Sequence, residues 1–246
     1  MICSSDHVAE FARAARRLLG PSVSVGYAQP AMGDAANLLP AELHCTAGMV
    51  PQRKNEFAAG RAAVRMATIA DGSEPFAVPM GVDRAPVWPP GIVGSIAHSS
   101  DICLAAISRS RRYAAIGIDV EPNVALPPDI AAEVIHEGDG LELESGVAAP
   151  LTKQHYVEVF SAKEAAYKCQ FPLTGSVLGF DALSIRLMPQ SQRFVARFER
   201  GVGSFQAGDT LEGGYALIGD HVLTVASIPI ERWEKLTLRK VQVAHG

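Results

Sequence analysis

The chain has 246 residues, a net charge of −4, 48% hydrophobic and 20% charged side chains, which is ordinary for a globular protein of one or two domains. Its negative charge argues against nucleic-acid binding through phosphate neutralisation, and no uninterrupted apolar run has the length needed to span a membrane. The four cysteines lack the spacing of a metal or redox site. We therefore expect a cytoplasmic protein with reduced thiols and no nucleic-acid or membrane partner.

The first predicted element is an amphipathic helix from Asp6 to Leu19. Its arginines resemble those of a transit peptide, but Asp6 and Glu10 favour an ordinary surface helix. A second helix begins in a basic stretch from Arg53 to Arg65. That stretch is either a solvated basic face or, because cations are concentrated here, part of a site for a small polyanionic ligand.

Two short segments follow the basic helix. Arg84 begins a proline-rich stretch, residues 84–90, that presents an arginine on rigid chain. Residues 94–100 are strand-like and end in polar side chains, among them His98. His98 is either a hydrogen-bonded turn histidine or, together with neighbouring hydroxyls, a binder of phosphate oxygens.

Residues 116–121 predict a strand in which Asp119 and Glu121 share one face, because side chains at i and i+2 point the same way. Two such carboxylates, about 7 Å apart along the backbone, repel each other unless a cation lies between them. A hard divalent ion such as Mg²⁺ suits oxygen ligands of this kind. The alternative is a pair of exposed acids on an edge strand.

Residues 160–168 predict a helix in which Glu164 and Lys168, four apart, share a face. Three interpretations of Glu164 are open: a third metal ligand, a surface ion pair with Lys168, or the Glu of a capping box that begins at Ser161. The capping interpretation fails if the helix begins earlier, as the apolar spacing from about Thr152 onward indicates.

A faint internal repeat suggests two similar halves. Residues 57–65 align without a gap with residues 160–168, and strand-like residues flank both Asp101 and Asp220, which predicts two hairpins. Prolines from Pro122 onward mark a predicted boundary between halves 1–122 and 123–246. Because the acidic strand would then belong to the first half and Glu164 to the second, the metal site is predicted to bridge the halves.

Taken in order, residues 53–61, 84–89, 94–99, 117–121 and 160–168 resemble the 4′-phosphopantetheinyl transferases, in the branch similar to enterobactin synthetase component D. The resemblance implies an α+β fold of two similar α/β halves related by a pseudo-twofold axis. It implies transfer of the 4′-phosphopantetheine arm of coenzyme A to a serine of an acyl or peptidyl carrier protein, with release of 3′,5′-ADP. The implied carriers belong to nonribosomal peptide, polyketide or fatty acid synthases, in siderophore or other secondary metabolism.

The resemblance also implies site residues. Mg²⁺, or Mn²⁺ in its place, would be held by Asp119, Glu121 and Glu164. Glu164 and Lys168 would be catalytic, with Glu164 or a water as the general base. The implied contacts to coenzyme A are Arg53, Arg61, Arg84, Ser95, His98, Lys163 and Lys168. The second half would carry the carrier-facing surface, and a chain that supplies both halves would act as a monomer.

Two other functions fit the same residues: a coenzyme A-binding regulator without turnover, and a Mg²⁺-dependent phosphohydrolase that uses water as the nucleophile. The complete set of acids with Lys168 argues against the regulator, since binding alone does not require it. The sequence departs from the family over residues 135–150, where glycines and Pro150 predict a loop instead of a helix. That departure leaves the choice of carrier open.

Overall fold

The computed structural model describes residues 5–109, 111–144 and 146–243, and it confirms a mixed α+β fold. In these ranges the α-helices are α1 (Ser5–Leu19), α2 (Pro40–Leu43), α3 (Pro51–Ala70), α4 (Pro128–Val134), α5 (Tyr156–Thr174) and α6 (Ile230–Val243). The strands are β1 (Ser24–Ala28), β2 (Val93–His98), β3 (Cys103–Ser108), β4 (Tyr113–Pro122), β5 (Gly140–Glu142), β6 (Ala148–Ala149), β7 (Leu183–Met188), β8 (Arg193–Phe198), β9 (Thr210–Ile218) and β10 (His221–Pro229). Short 3₁₀ turns lie at Pro30–Met32, Ala35–Asn37, His44–Thr46, Lys153–His155 and Phe180–Ala182.

The chain divides into two compact units, Met1–Ser110 and Arg111–Gly246. In the first unit, α3 packs on an antiparallel three-stranded sheet of order β1-β3-β2. Small residues allow close packing: a Cβ added at Gly26 of β1 would lie 2.1 Å from the carbonyl oxygen of Ala63. The amphipathic helix predicted near the N-terminus is confirmed as α1, which buries Phe11 and Leu19.

The second unit is built on a seven-stranded sheet of order β4-β10-β9-β8-β7-β5-β6, antiparallel except for the parallel β5–β7 pair. Helix α5 packs across β4 and β10. The helix approaches the sheet closely at Gly117, where an added Cβ would lie 2.0 Å from the carbonyl oxygen of Ala165. Glycine at this position therefore allows α5 to lie directly above the acidic segment of β4.

The acidic strand β4 lies in the second unit, whereas the sequence assigned it to a first half that ended at residue 122. The reason is a non-local pairing: β4 is hydrogen-bonded to β10, with Asp119 opposite Thr224 and Glu121 opposite Val222. The prolines from Pro122 onward do end a strand, but the unit boundary falls between Ser110 and Arg111. The acids and α5 consequently belong to one unit.

The structure also contains the two predicted hairpins and the segment predicted as a loop. The two predicted hairpins are confirmed, because Asp101 lies between the antiparallel strands β2 and β3, and Asp220 between β9 and β10. The predicted loop over residues 135–150 holds the short strands β5 and β6 after α4 ends at Val134.

Cys45, Cys103 and Cys169 are free, and Cys3 lies outside the described residues. No helix in the described ranges is long and apolar enough to cross a bilayer.

Candidate active site

Strand β4 and helix α5 bring Asp119 and Lys168 together. The Lys168 Nζ lies 2.6 Å from Asp119 Oδ1. Asp119 is only 2% exposed, so the interpretation of exposed acids on an edge strand does not apply to it, although β4 does lie at one edge of its sheet. The ammonium group of Lys168 is therefore directed at the strand carboxylate, and Lys168 is more than a surface i,i+4 partner of Glu164.

Glu121 and Glu164 lie in the same electrostatic environment as this pair. The pKa of Glu121 is raised to about 7, mainly by burial and also by the charges of Asp119 and Glu164, while Lys168 opposes the shift. Burial also raises the pKa of Glu164, an effect that Lys168 opposes and Asp119 reinforces. Burial lowers the pKa of Lys168, but the three carboxylates outweigh that effect, so its pKa is raised and it remains a cation.

These charges leave the cluster short of positive charge, since one ammonium group accompanies three carboxylates. Carboxylate oxygens are the ligands that Mg²⁺ takes in proteins, so the donor chemistry fits this ion. The side chains do not converge on one point: within the described residues, no three His, Cys, Asp or Glu side chains are placed to hold an ion. Lys168 instead contacts Asp119 Oδ1.

Two hydroxyls support the strand carboxylate: that of Ser161, for which the sequence offered only a helix-capping role, and that of Thr224, for which it offered none. Ser161 Oγ donates to Asp119 Oδ2 at 2.7 Å and lies 2.8 Å from Thr224 Oγ1. Helix α5 begins at Tyr156, which confirms that Ser161 is interior and does not cap the helix. The serine was visible in the sequence, but the threonine is 63 residues further along the chain and no local signal marked it.

Lys163, which the family resemblance assigned to coenzyme A, has other partners in this structure. Its ammonium nitrogen lies 2.8 Å from Val134 O, 2.8 Å from Asp139 Oδ2 and 3.0 Å from Phe180 O. An ammonium group has three hydrogens, so these contacts occupy all of its donors. The side chain is 2% exposed and its Asp139 partner 0%. The arrangement favours a structural role for Lys163 over phosphate contact.

Glu158, on α5 one turn before Ser161, is another buried carboxyl, and its Oε2 has no hydrogen-bond partner among the described residues. Burial raises its pKa to about 7, and burial together with the charge of Glu158 raises the pKa of Tyr215. Because Thr224 pairs with both Asp119 and Tyr215, these three residues form one row across β4, β10 and β9. Glu158 therefore lies near the β9 end of the row whose other end is Asp119.

Replacing Glu158 with Gln is expected to remove a pH-dependent loss of stability. The pKa of Glu158 is about 7 in the folded protein, against a reference of 4.5. The free energy of unfolding therefore falls as the pH rises above about 4.5, because ionisation of the buried carboxyl disfavours the folded state. Below that pH the carboxyl is protonated in both states and this loss is absent. The free energy of unfolding of the variant minus that of the wild type should be about 3 kcal/mol larger at pH 8 than at pH 4.5. Urea unfolding of both proteins at the two pH values measures this, and a pH-independent difference would contradict it.

In the first unit, Arg53 and His98 lie together. Arg53 Nη1 is 2.9 Å from His98 Nε2 and 3.0 Å from Glu56 Oε2. The His98 side chain is exposed at the end of β2. Arg84 is also exposed and has a positive φ of 68°, which is uncommon for a residue other than glycine. These three side chains present nitrogen donors at the surface of their unit, as the polyanion hypothesis requires.

The other predicted contacts in this unit lie in the interior. Arg61 is 6% exposed, donates from Nε to Val78 O at 2.8 Å, and places its guanidinium 3.8 Å from the centre of the Phe57 ring. Burial lowers the pKa of Arg61 to about 10. Ser95 is 4% exposed on β2. The sequence showed the residue types, but not that α3 turns Arg61 inward.

Two cavities adjoin α5. One of about 160 Å³ is lined by Lys163, Glu164, Tyr167, Val177, Leu178, Gly179, Phe180 and Leu183. The other, of about 370 Å³, lies along α4 and is lined by Ala125, Leu126, Pro128, Ala131, Ala132, Ile135, Lys153 and Tyr156. The first is a mainly apolar space directly beside the Glu164 carboxylate, and the second is an apolar groove with a lysine and a tyrosine among its lining residues.

Comparison with known proteins identifies the class to which this site belongs. The family model described as 4′-phosphopantetheinyl transferase N-terminal domain matches residues 40–108, and that of the 4′-phosphopantetheinyl transferase superfamily matches residues 115–226. The chain therefore belongs to the 4′-phosphopantetheinyl transferase superfamily. It is a transferase that places the phosphopantetheine arm on carrier proteins, which confirms the activity expected from the sequence.

Individual relatives agree with this assignment. The chain is 38% identical over 161 residues to the 4′-phosphopantetheinyl transferase Svp of Streptomyces mobaraensis, covering 65% of each protein. It is 32% identical over 193 residues to PptT of Mycobacterium tuberculosis, covering 76% of this chain and 84% of the relative. With enterobactin synthase component D of Salmonella typhi it shares 32% identity over 174 residues, which cover 65% of this chain and 70% of that protein.

Proposed function

We propose that the protein takes the phosphopantetheine arm from coenzyme A in a Mg²⁺-dependent reaction that releases 3′,5′-ADP. The observation that carries this proposal is the contact between the Lys168 ammonium group and the buried Asp119 carboxylate, in the electrostatic field of Glu121 and Glu164. A carboxylate cluster with one permanent cation suits a metal-bound pyrophosphate, because the ion balances the acids and the ammonium group contacts phosphate. Asp119, Glu121 and Glu164 would hold Mg²⁺, with Mn²⁺ as a substitute.

The reaction is a displacement at phosphorus. The carrier serine oxygen forms a bond to the phosphorus that bears the pantetheine arm, and the bond from that phosphorus to the bridging oxygen breaks. The bond electrons leave with 3′,5′-ADP. Bound Mg²⁺ would stabilise negative charge on the phosphoryl oxygens. Lys168 would stabilise charge on the same pyrophosphate, and alignment of the serine with the leaving oxygen would supply the rest of the acceleration.

The proton of the carrier serine needs an acceptor, and we propose Glu164. Its carboxyl is half-buried and lies on the same face of α5 as Lys168, so it would lie beside the reacting pyrophosphate. The cavity beside Glu164, lined by Tyr167, Leu178 and Phe180, would receive the neutral pantetheine arm. The arm would then pass directly from the carboxylates into an apolar space.

For the nucleotide end of coenzyme A we propose Arg53, His98 and Arg84, because their side chains present nitrogen donors at the surface of the first unit. Arg61 and Ser95 are proposed to act from beneath them, since both are buried. The similar packing of α3 and α5 on strand glycines supports the pseudo-twofold relation between halves that the family resemblance implies.

The proposed acceptors are acyl or peptidyl carrier domains of nonribosomal peptide, polyketide or fatty acid synthases, including those of siderophore synthesis. We propose the apolar groove along α4 as the carrier-facing surface, with Lys153 and Tyr156 among its lining residues. We further propose that the protein acts as a cytoplasmic monomer, because one chain supplies all of the residues named for the reaction.

Incubation with coenzyme A, Mg²⁺ and a panel of apo-carrier proteins tests this proposal. We expect a carrier heavier by one phosphopantetheine arm, detected by mass spectrometry, and no gain when Mg²⁺ is chelated. No mass gain across the panel would refute transfer. Binding of coenzyme A without turnover would identify a regulator, and release of 3′,5′-ADP without a carrier would identify a phosphohydrolase.

A further inference from the structure

The two oxygens of the Asp119 carboxylate have different environments. Oδ2 accepts a hydrogen bond from Ser161 Oγ at 2.7 Å, within the interior of the second unit. Oδ1 lies 2.6 Å from the ammonium nitrogen of Lys168, whose side chain is 28% exposed. One oxygen therefore faces a buried hydroxyl on the helix, and the other faces the cationic, partly accessible side of the site.

The direction of the hydroxyl bonds follows from the donors available. An ionised carboxylate only accepts hydrogen bonds, and a serine hydroxyl has one proton, so Ser161 donates that proton to Asp119. Thr224 Oγ1 lies 2.8 Å from Ser161 Oγ and 2.8 Å from the Ser161 carbonyl oxygen. With the serine proton already committed to Asp119, the single threonine proton is shared between the Ser161 carbonyl oxygen and Ser161 Oγ. Thr224 consequently holds Ser161, and Ser161 holds Asp119 Oδ2.

The burial of this chain of hydrogen bonds makes its geometry well defined. Ser161 and Thr224 are each 0% exposed. Water therefore does not compete for these hydroxyls, and turning either one away would leave a buried polar group without a partner. Strand pairing places Thr224 directly opposite Asp119, while close packing at Gly117 keeps α5 against the same strand. The hydroxyl pair thus fixes the rotation of the carboxylate about its side-chain bond.

We propose that Ser161 and Thr224 are positioning residues that hold Asp119 Oδ2 so that Oδ1 is presented to the metal ion and to Lys168. This inference rests on the proposed metal role of Asp119. It adds that the two oxygens have separate functions, Oδ2 in orienting the carboxylate and Oδ1 in binding. Partners that orient a metal ligand commonly change metal affinity by about 10- to 100-fold when removed. Ser161 and Thr224 touch neither the metal nor coenzyme A in this assignment; they act through Asp119.

Mn²⁺ binding measured by electron paramagnetic resonance tests the inference without relying on turnover. The 246-residue protein is titrated with Mn²⁺ in the presence of coenzyme A, and the signal of a protein-free coenzyme A sample is subtracted. We expect Ser161→Ala to weaken binding about tenfold. Thr224→Val, which keeps the shape of the side chain but removes the hydroxyl, should weaken it in the same direction. Thr224→Ser, which keeps the hydroxyl, should bind Mn²⁺ within about twofold of the wild type.

Ser184→Ala provides the matched control. Ser184 is 5% exposed in the same unit, and its hydroxyl donates to Glu199, which has no proposed role in metal binding. The Ser184→Ala variant should lose stability without losing Mn²⁺ affinity. If Ser161 had only a structural role, Ser161→Ala would give the same result. Unfolding midpoints in urea, measured on every variant, separate the two effects.

The outcomes distinguish the positioning role from the proposed function. If the wild type binds no Mn²⁺ with coenzyme A present, the metal assignment itself is refuted. If the wild type binds and both Ser161→Ala and Thr224→Val bind equally well, the positioning role is refuted and the metal site stands. Should Ser161→Ala fail to fold, the comparison of Thr224→Val with Thr224→Ser decides the question, and equal affinities in that pair would also refute the positioning role.

Discussion

Replacing Asp119 with Ala should lower turnover on an apo-carrier by about 100- to 1,000-fold, the range seen when one preorganised electrostatic group is removed from an active site. The change removes the carboxylate that contacts Lys168 at 2.6 Å and takes one negative charge from the proposed metal ligands. It also frees Lys168, which would then lie among the remaining acids. Carrier mass gain over time measures the effect.

The fold should persist in this variant, so the activity loss needs a stability measurement beside it. Asp119→Asn is the isosteric companion, because an amide oxygen can still accept the Ser161 proton at Oδ2. We expect both variants to show the circular dichroism spectrum of the wild type. Glu212→Gln, which removes an exposed carboxylate on β9, is the control and should retain full turnover. Full turnover in Asp119→Ala would show that the carboxylate cluster is not the reaction site.

Removing Asp139 should destabilise the protein by about 3–5 kcal/mol, the usual cost of leaving one partner of a buried ion pair alone. Asp139 accepts from Lys163, and also from the backbone N–H groups of His136 and Ile185. Asp139→Ala would leave the buried Lys163 ammonium and two backbone donors without that carboxylate. The urea unfolding midpoint, compared with that of the wild type, measures the loss.

The contrast with a surface pair makes this prediction specific. Asp181 and Arg200 form an ion pair in which both side chains are at least half exposed, so Asp181→Ala should leave the urea unfolding midpoint close to that of the wild type. A phosphate-binding role for Lys163 predicts a different pattern. Lys163→Met would then raise the KM for coenzyme A and leave the unfolding free energy nearly unchanged, a result that would contradict the structural role assigned above.

Much of the site was readable from local pattern. Alternation placed Asp119 and Glu121 on one face of a strand, and helical spacing placed Glu164 and Lys168 on one face of a helix, because both periods depend only on backbone geometry. The structure has the strand as β4 and the helix as α5. The order of the motifs also identified the family, since a series of five matching segments is far more specific than any one of them.

What the pattern left open depended on contacts between distant residues. Residue type marked Lys163 and Arg61 as possible phosphate ligands, but burial against Asp139 and Phe57 gives them interior partners. The halves were divided at the prolines after Glu121, yet hydrogen bonding to β10, about 100 residues later, places β4 with α5. Neither the burial of these two side chains nor the pairing of β4 with β10 has a local signal in the sequence, because both depend on residues that are distant along the chain.

The carboxylate–lysine chemistry was therefore present in the sequence, since residue types and spacing alone specify donors, acceptors and the face on which they lie. The orientation of that chemistry came from packing. Close approach of α5 at Gly117 and pairing of Asp119 with Thr224 bring Ser161 and Lys168 to opposite oxygens of one carboxylate. Such an arrangement requires two strands and a helix to meet, and no single segment of the chain contains that information.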